Sequence, residues 1–310
     1  MLNNSEINKW KNQGYVFKSN LINKNLINEC VEFLKSDDCQ LLYSNNFGSI
    51  NYALEFPSNY IIDWISVNEN IINCVKQLLN TDDILLAQSD AWRKVNNGNE
   101  NSDQRMHMDY GNNTFLHPSD WHNPEAVSII VYFSDISETK GGTAVVPREG
   151  DDDILYKPPY INMPGYGEYD FYNPKNQAEE YMNKFIGIGE FRKKLYEREI
   201  IASPNVGDIL FYRLDTWHRG TPVDIGKTRY VMNLIFKKKE CYWVNCWNQG
   251  FTRNMFFGYI EKFVTKMSPE QRAVIGIPKP SDSYWTEDKL HYLLARYPSI
   301  DINPYLKKLK

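Results

Sequence analysis

The sequence predicts a mainly β protein with flanking helices (α+β), folded as a double-stranded β-helix, the jelly-roll or cupin-like barrel. Three features predict it. Beyond residue 84 the chain contains short runs of β-branched and aromatic residues, each bounded by Gly, Pro, Asn or Asp. These runs are joined by connections of irregular length, which is typical of double-sheet barrels. Helical periodicity lies mainly before the first of these runs and after the last.

Residues 1–80 are predicted to form N-terminal helices. From Leu21 to Leu34 apolar residues recur at three- and four-residue steps, the spacing that places them on one face of a helix. A second helix is predicted from Asn68 to Leu79. The segment from Gly14 to Phe17 is a short strand candidate ahead of the first of these helices.

The jelly-roll core is predicted over residues 84–237, with a long insertion at residues 148–203 that is rich in Tyr, Pro and Gly. The second half of the insertion, from Gln177 to Glu199, has helical character. An insertion of this length inside a compact domain is more often functional than idle. A helical extension over residues 251–310 completes what we expect to be a single domain, residues 1–310. The predicted core strands are Ile84–Val95, Met106–Asp109, Val127–Phe133, Thr143–Pro147, Ile209–Leu214 and Arg229–Lys237.

Composition and charge exclude some classes of partner. The chain has 310 residues, of which 42% are hydrophobic and 24% charged, as in ordinary folded proteins. Its net charge of -4 argues against nucleic acid as the main partner, because phosphate binding needs clustered Lys and Arg. No apolar run approaches the roughly 20 residues that span a membrane. We expect neither nucleic acid nor membrane as a partner, and the oligomeric state is left open.

The cysteines indicate a reducing compartment. Five are present, none of them in a CxxC spacing, and no targeting signal is visible. Reduced thiols in a cytoplasmic protein explain this pattern, and a zinc site built from Cys is not expected.

Two short segments suggest a metal site. His107 and Asp109 stand two residues apart on a predicted strand, where such residues point to the same face. Alone this pattern is weak, because a hydrogen-bonded core histidine is the commoner explanation. His218 follows an apolar strand in a turn-like context. Two His and one carboxylate form the facial triad that leaves positions on Fe(II) open for oxygen chemistry.

Arg229 lies eleven residues after His218, at the start of the last predicted strand. A 2-oxoglutarate molecule that chelates iron through its keto-acid end has a distal carboxylate to be anchored. A guanidinium meets a carboxylate through two parallel hydrogen bonds, which fixes orientation as well as charge. Taken alone, a surface position at a strand entrance explains Arg229 better.

The order of these elements gives the sequence a resemblance to a known family. It resembles the phytanoyl-CoA dioxygenase family of Fe(II)/2-oxoglutarate-dependent oxygenases, over roughly residues 10 to 237. The matching elements, in chain order, are Gly14-Tyr15-Val16, Gln88-Ser89, His107-Met108-Asp109, Gly141-Gly142-Thr143-Ala144-Val145-Val146-Pro147, Gly207-Asp208, Trp217-His218 and Arg229.

The resemblance implies a dioxygenase that consumes O2 and 2-oxoglutarate, releases succinate and CO2, and oxidises a small molecule, most simply by hydroxylation. It implies that His107, Asp109 and His218 bind iron. It makes Arg229 the anchor for the 2-oxoglutarate C5 carboxylate. Three further residues are implied: Gln88 and Lys94 at positions that contact substrate or cosubstrate, and Thr221 as a support for the cosubstrate or a simple turn residue.

One departure from the family pattern and one match bear on the reaction. The family usually continues its Gly-Gly-Thr strand with Pro-Gly-Ser-His, whereas this chain has Pro147-Arg148-Glu149-Gly150. Arg148 and the long insertion are therefore expected near the mouth of the site, with substrate handling unlike that of relatives. Halogenases related to the family replace the triad carboxylate with a small residue. Because Asp109 is present, halogenation is not expected, while desaturation and ring formation stay open beside hydroxylation.

Aromatic residues next to the proposed ligands are candidates for substrate contact. Trp92, Tyr110 and Trp217 flank the ligands in sequence, and aromatic walls are normal in small-molecule pockets. Core packing explains at least half of such residues. His117 and His122 lie in an apparent loop, where surface positions are the better explanation. Two other functions stay open: a jelly-roll oxygenase that acts on a protein side chain, and a catalytically silent binding module.

Overall fold

Helices precede the barrel, as the sequence predicts. The structure is a computed structural model that describes residues 1–40, 54–55, 60–81, 84–96, 98, 103–109, 116, 121–244, 264–265, 269, 272, 277–278 and 280–306. The first elements are α1 (Asn4–Gln13), β1 (Tyr15–Lys18), α2 (Lys24–Lys35), α3 (Asp37–Gln40), β2 (Leu54–Glu55), α4 (Asp63–Ser66) and α5 (Glu69–Leu79). Both predicted helices are present, and the side chain of Asn68 caps α5 by accepting from two backbone N–H groups.

Hydrophobic periodicity does not predict α1. This helix is mostly polar, and Trp10 is its one buried residue, so it has little hydrophobic periodicity. Its start is instead marked by a capping box. The side chain of Asn3 accepts from the backbone of Glu6 at 2.9 Å, and the Glu6 carboxylate accepts from the backbone of Asn3 at 2.7 Å. Gly14 ends the helix at a φ of 90°, and a Cβ there would lie 2.5 Å from the Thr216 hydroxyl oxygen.

The barrel strands follow. They are, with the helices between and after them, β3 (Ile84–Val95), β4 (Ala126–Tyr132), α6 (Ile136–Thr139), β5 (Thr143–Val145), α7 (Lys175–Met182), α8 (Ile188–Arg198), β6 (Ile200–Ile201), β7 (Ile209–Tyr212), β8 (His218–Gly220), β9 (Thr228–Lys238), α9 (Glu287–Arg296) and α10 (Asn303–Leu306). A larger antiparallel sheet has the order β1-β7-β4-β9-β3-β2, and a smaller one the order β6-β5-β8. Two antiparallel sheets with flanking helices confirm the predicted fold class.

The larger sheet has one face against helices and one face toward the smaller sheet. Along β4, Val127, Ile129 and Val131 alternate onto the helix side, where they share a core with Cys30 and Val75 of the N-terminal helices. The intervening residues of β4 point to the inner face, between the sheets. This division buries a large apolar core outside the barrel and leaves the inner face free to carry polar side chains.

A β-bulge sets which residues of β3 face inward. The register between β3 and β9 shifts between Leu86 and Gln88, and from there Gln88 pairs with Ile235 and Lys94 with Arg229. Because side chains alternate along a strand, every second residue from Gln88 to Lys94 shares the inner face with Arg229 and Ile235. The bulge therefore places charged residues of β3 inside the barrel.

The prediction of a strand from Met106 to Asp109 is wrong in its extent. Within this segment, regular pairing is confined to His107 and His218, whose backbones exchange two hydrogen bonds of 2.9 and 2.8 Å. The chain turns at Asp109, so the two proposed ligands do not share one face of a regular strand. The segment is the outer edge of the smaller sheet, held to β8 by this pair and by a bond from Gln104 N to Gly220 O.

The insertion adds one more extended segment to that edge. The backbone N–H of Arg105 donates to Asn173 at 2.9 Å, and that of Lys175 donates to Asp103 at 2.8 Å. Further along, α7 and α8 confirm the helical character predicted for the second half of the insertion. No helix in the described ranges is both long and apolar enough to cross a membrane. Four cysteines, Cys30, Cys39, Cys74 and Cys241, are buried and form no disulfide within the described part of the chain, and Cys246 lies outside it.

Candidate metal centre

The structure brings His107, Asp109 and His218 together inside the barrel. One ligating atom from each lies within 4.8 Å of the others, and all three residues are buried. The two imidazole rings are 4.4 Å apart between centroids, and His218 Nε2 is 3.3 Å from Asp109 Oδ1. Backbone pairing of His107 with His218 sets the separation of the rings, and the turn at Asp109 brings its carboxylate alongside them.

Both histidines are held with one ring nitrogen facing the cluster. Nδ1 of His107 lies 3.0 Å from the carbonyl of Arg105, and Nδ1 of His218 lies 2.9 Å from the carbonyl of Thr216. A carbonyl only accepts, so each Nδ1 carries a proton and each Nε2 faces the cluster. This is the usual support for histidines that bind a metal, because it fixes both the tautomer and the ring orientation.

Asp109 is oriented by two hydroxyl groups from the larger sheet. Tyr212 donates to Asp109 Oδ2 at 2.7 Å and Ser128 donates to the same oxygen at 3.1 Å. Tyr212 and Ser128 are register partners on β7 and β4, so both hydroxyls come from one point of the inner face. Oδ2 is therefore fixed, and Oδ1 is presented to the histidines.

The electrostatics favour the ligating forms of His107 and Asp109, the neutral imidazole and the ionised carboxylate. Burial, together with the positive charges of His218 and Arg105, holds the pKa of His107 well below its usual range. Burial raises the pKa of Asp109, but the two histidines and Tyr212 outweigh it, so that this pKa is lowered and the carboxylate is ionised. Burial lowers the pKa of His218, and the Asp109 carboxylate more than reverses this effect. A divalent cation would take the place of the proton that Asp109 attracts.

Two buried cations face each other at the far end of the inner face. Lys94 and Arg229 are register partners across β3 and β9, at 1% and 3% exposure. Burial and the charge of Arg229 hold the pKa of Lys94 well below its usual range, while burial lowers the pKa of Arg229. Like charges directly opposite each other repel. An anion bound between them would relieve that repulsion.

The remaining predicted cosubstrate residues have local roles. Thr221 donates its hydroxyl to the Gly142 carbonyl at 2.7 Å, and its own carbonyl accepts from Lys94 Nζ at 2.6 Å. Thr221 thus positions Lys94. Gln88 lies on the inner face and donates to Asp90 at 2.6 Å. Contact of either with a cosubstrate stays a prediction.

The predicted substrate residues are spread over several parts of the structure. Trp92 is half-buried on the inner face of β3. Trp217 is fully buried beneath the insertion and donates to the Leu155 carbonyl at 2.7 Å, so it packs the insertion onto the barrel. Arg148 stacks over Trp121, with its Cζ 4.3 Å from the ring centroid, and bonds to its own loop. Two of the candidate positions, Tyr110 and His117, lie outside the described residues, whereas His122 is exposed.

The insertion holds the backbone of Met106, the residue that precedes His107. The sequence does not predict this contact. Met106 donates its N–H to the Tyr196 hydroxyl at 2.9 Å, and its carbonyl accepts from Arg192 Nη2 at 3.0 Å. Glu179 binds Arg192 through two contacts of 2.6 Å and accepts from Tyr196 at 2.6 Å. Arg192 and Tyr196 are four residues apart on α8, the spacing that places two side chains on one helix face. The sequence contains that spacing, which predicts that the two side chains lie together, but it does not indicate that both bind the backbone of Met106.

Asn233 and Arg105 were also missed. Asn233 lies on β9, and its side-chain oxygen is buried without a hydrogen-bond partner among the described residues. Arg105 is 3% exposed, and burial and the charge of Arg192 lower its pKa to about 9. Buried polar atoms without a hydrogen-bond partner are uncommon in folded proteins, and each one needs an explanation.

Solved structures share this fold. SnoK, a non-heme alpha ketoglutarate dependent carbocyclase from nogalamycin biosynthesis, aligns with a TM-score of 0.56 at 11% identity, over 82% of this chain and 90% of its own. The epimerase SnoN, in complex with Fe3+, alpha ketoglutarate and nogalamycin RO, gives 0.54 at 12% identity, over 80% and 88%. HygX from Streptomyces hygroscopicus, with nickel and 2-oxoglutarate bound, gives 0.52 at 11% identity, over 80% and 90%.

At these identities the similarity establishes a common fold, the cupin-like barrel. No protein-family model and no curated protein sequence matches the chain.

The support of Asp109 can be tested with Tyr212→Phe. Removing the hydroxyl that holds Oδ2 should weaken divalent-metal binding about 10-fold, since such supporting partners typically contribute 10- to 100-fold. Metal titration of the protein without cosubstrate measures it. Tyr132→Phe is the matched control, because that hydroxyl bonds to Thr143 instead. Equal metal affinity in Tyr212→Phe and Tyr132→Phe would contradict the role given to Tyr212.

Proposed function

We propose that the protein is a non-haem Fe(II)/2-oxoglutarate-dependent dioxygenase that oxidises a small molecule and releases succinate and CO2. The observation that carries this proposal is the buried cluster of His107, Asp109 and His218, with both histidines oriented by backbone carbonyls and the carboxylate ionised. Two imidazoles and one carboxylate are the donor set of non-haem Fe(II) oxygenases. The residues therefore fit an iron ion.

The cation pair fits the cosubstrate. 2-Oxoglutarate is a dicarboxylate, and Arg229 and Lys94 offer it two buried positive charges on adjacent strands of the same barrel. Arg229 presents a planar fork of donors, which matches a carboxylate better than an ammonium does. Arg229 is therefore proposed as the anchor of the distal carboxylate, with Lys94 as the second charge that Thr221 holds in place. Gln88 is proposed to line the same space.

The described residues position the metal ligands and exclude water from the site. None of them is assigned a proton transfer. Tyr212 and Ser128 fix Asp109, the carbonyls of Arg105 and Thr216 fix the two histidines, and the packed sheets keep bulk water away. When bound, iron and 2-oxoglutarate supply the activation of O2 for the oxidation of a substrate C–H bond. The aromatic candidates Trp92, Tyr110 and Trp217, with Arg148, are proposed as part of the substrate surroundings.

The structural neighbours support a small-molecule substrate. SnoN is solved with nogalamycin RO, and HygX with hygromycin B, the latter at a TM-score of 0.50 and 12% identity. The order of motifs along the chain supports placement in the phytanoyl-CoA dioxygenase family. Free, buried cysteines support a reducing, cytoplasmic location. An intact triad with an opposed cation pair disfavours a catalytically silent module.

The proposal is tested by metal binding and turnover in His218→Ala. Iron should bind the original protein at one ion per chain, and the substitution should abolish both iron binding and succinate formation, because one of three ligands is lost. Anaerobic Fe(II) titration and measurement of succinate give the result. His122→Ala is the matched control, since that histidine is exposed. Iron affinity retained in His218→Ala would refute the site.

Arg229→Ala tests the cosubstrate anchor. A two-pronged, buried contact contributes about 2–4 kcal/mol when its loss leaves an unpaired charge. We expect 2-oxoglutarate to bind roughly 30- to 1,000-fold more weakly, since each 1.4 kcal/mol is tenfold. Arg229→Lys should recover part of the loss, because an ammonium keeps the charge but not the fork.

Titration of 2-oxoglutarate into iron-loaded, oxygen-free protein, followed by its metal-to-ligand absorption band, measures the change. Iron affinity should be unaltered. Arg198→Ala, at a partly buried ion pair with Asp153, controls for the loss of a guanidinium. An unchanged dissociation constant in Arg229→Ala would move the anchor elsewhere.

A further inference from the structure

We infer that the substrate carries an oxyanion, a carboxylate or a phosphate-type group, which binds Arg105 where the insertion meets the metal centre. This inference rests on the proposed function and names a class of substrate for it. It is carried by the position of Arg105, by its burial, and by the way the nearby carboxylates are already used.

Arg105 lies between a proposed iron ligand and the insertion. Its carbonyl accepts from His107 Nδ1 at 3.0 Å, and its positive charge acts on both His107 and His218. On the other side, its guanidinium carbon is 4.5 Å from the centroid of the Phe171 ring, and Nη1 donates to Asn173 Oδ1 at 3.3 Å. Both of these residues belong to the insertion, so the guanidinium stands at the junction of insertion and metal centre.

The charge of Arg105 has no ion-pair partner among the described residues. Its Nε is buried and makes no hydrogen bond, and the contact to Asn173 is with a neutral amide. Glu179 acts on Arg105 only at a distance, because Arg192 and Tyr196 bind its oxygens at 2.6 Å. The charge of Glu179 is therefore already neutralised by another arginine, Arg192.

Three other buried arginines are paired with carboxylates, while the buried Arg272 donates from all three of its nitrogens to backbone carbonyls. Arg192 has Glu179, Arg213 has Asp215 and Arg219 has Glu199, each through two contacts between 2.6 and 2.9 Å. In all three cases the guanidinium is fully paired with a carboxylate of the protein. Arg105 is equally buried, and the remaining half of its donor fork has no acceptor in the described structure.

A buried, uncompensated guanidinium is costly, because burial removes its hydration and nothing restores it. A protein that keeps such a group next to a reactive centre gives up stability for a ligand contact. The free donors of Arg105 suit an oxyanion, which guanidinium binds in preference to neutral acceptors. With the 2-oxoglutarate carboxylates assigned to iron and to the pair of Lys94 and Arg229, the oxyanion at Arg105 belongs to the substrate.

The first test compares the stability of two variants without metal or cosubstrate. Arg105→Met removes a buried charge but keeps the packing of the side chain, so the melting temperature should be unchanged or higher. Arg192→Met is the matched control. It removes an arginine whose donors are satisfied and leaves Glu179 unpaired, so its melting temperature should fall by several degrees. A fall in Arg105→Met equal to that in Arg192→Met would make Arg105 structural and overturn the inference.

The second test measures anion binding to the oxygen-free protein loaded with Fe(II) and 2-oxoglutarate. Acetate and methyl phosphate are titrated by calorimetry, with acetamide as the neutral control. At least one of the two anions should bind, and Arg105→Met should weaken that binding at least 10-fold while leaving 2-oxoglutarate affinity unaltered. The anion that binds more tightly separates a carboxylate from a phosphate substrate. Absence of anion binding, or equal binding by Arg105→Met, would overturn the inference.

The two proposals fail in different ways. If the protein does not load with iron and 2-oxoglutarate, the proposed function fails, and the comparison of melting temperatures still measures the role of Arg105. If loading succeeds but neither anion depends on Arg105, the function stands and the substrate is not an oxyanion held at this residue.

Discussion

The site depends on one backbone pairing, the exchange of two hydrogen bonds between His107 and His218. These residues are more than a hundred positions apart in the chain, and this pairing is what brings their rings to 4.4 Å. It also fixes where the chain turns at Asp109, whose carboxylate then meets the hydroxyls of Tyr212 and Ser128. A slip of one residue would turn a histidine away from the cluster, because side chains alternate along an extended segment. The metal centre is thus a consequence of register at the edge of the smaller sheet.

That edge is secured by the insertion. One extended segment of the insertion pairs with the backbone of residues 103–105, and the helix α8 holds both polar groups of the Met106 backbone through Tyr196 and Arg192. The insertion is therefore part of the support of the metal centre and also forms the surroundings of Arg105. This double role links the surroundings of Arg105 to the geometry of the metal ligands, because the same insertion holds the segment that carries His107. Long insertions in compact domains are often functional, and here the physical link is a set of named hydrogen bonds.

The two faces of the larger sheet have different roles. One face stabilises the fold, and the other carries the ionisable groups. The helix-facing side buries an apolar core, which includes Ile129 and Leu234, and this burial is the main stabilising contribution. The inner face carries ionisable groups, and the bulge between Leu86 and Gln88 sets which residues of β3 join them. Lys94 and Arg229 repel each other there, a cost that the apolar core outside offsets.

The sequence by itself determined the fold class, the strands β3, β4, β7 and β9 to within a few residues, and the residue types that form the buried cluster. These follow from local patterns: apolar alternation, turn residues and the order of motifs. It did not yield α1, whose signal is a capping box rather than periodicity, and it extended the segment around His107 into a regular strand. Only the tertiary structure decided that Arg192 and Tyr196 hold Met106, that Lys94 opposes Arg229, and that Arg105 lacks a carboxylate. The reason is physical, because a contact between residues 86 or 90 positions apart depends on strand register and on which partners are already taken. The sequence next to either residue contains neither kind of information.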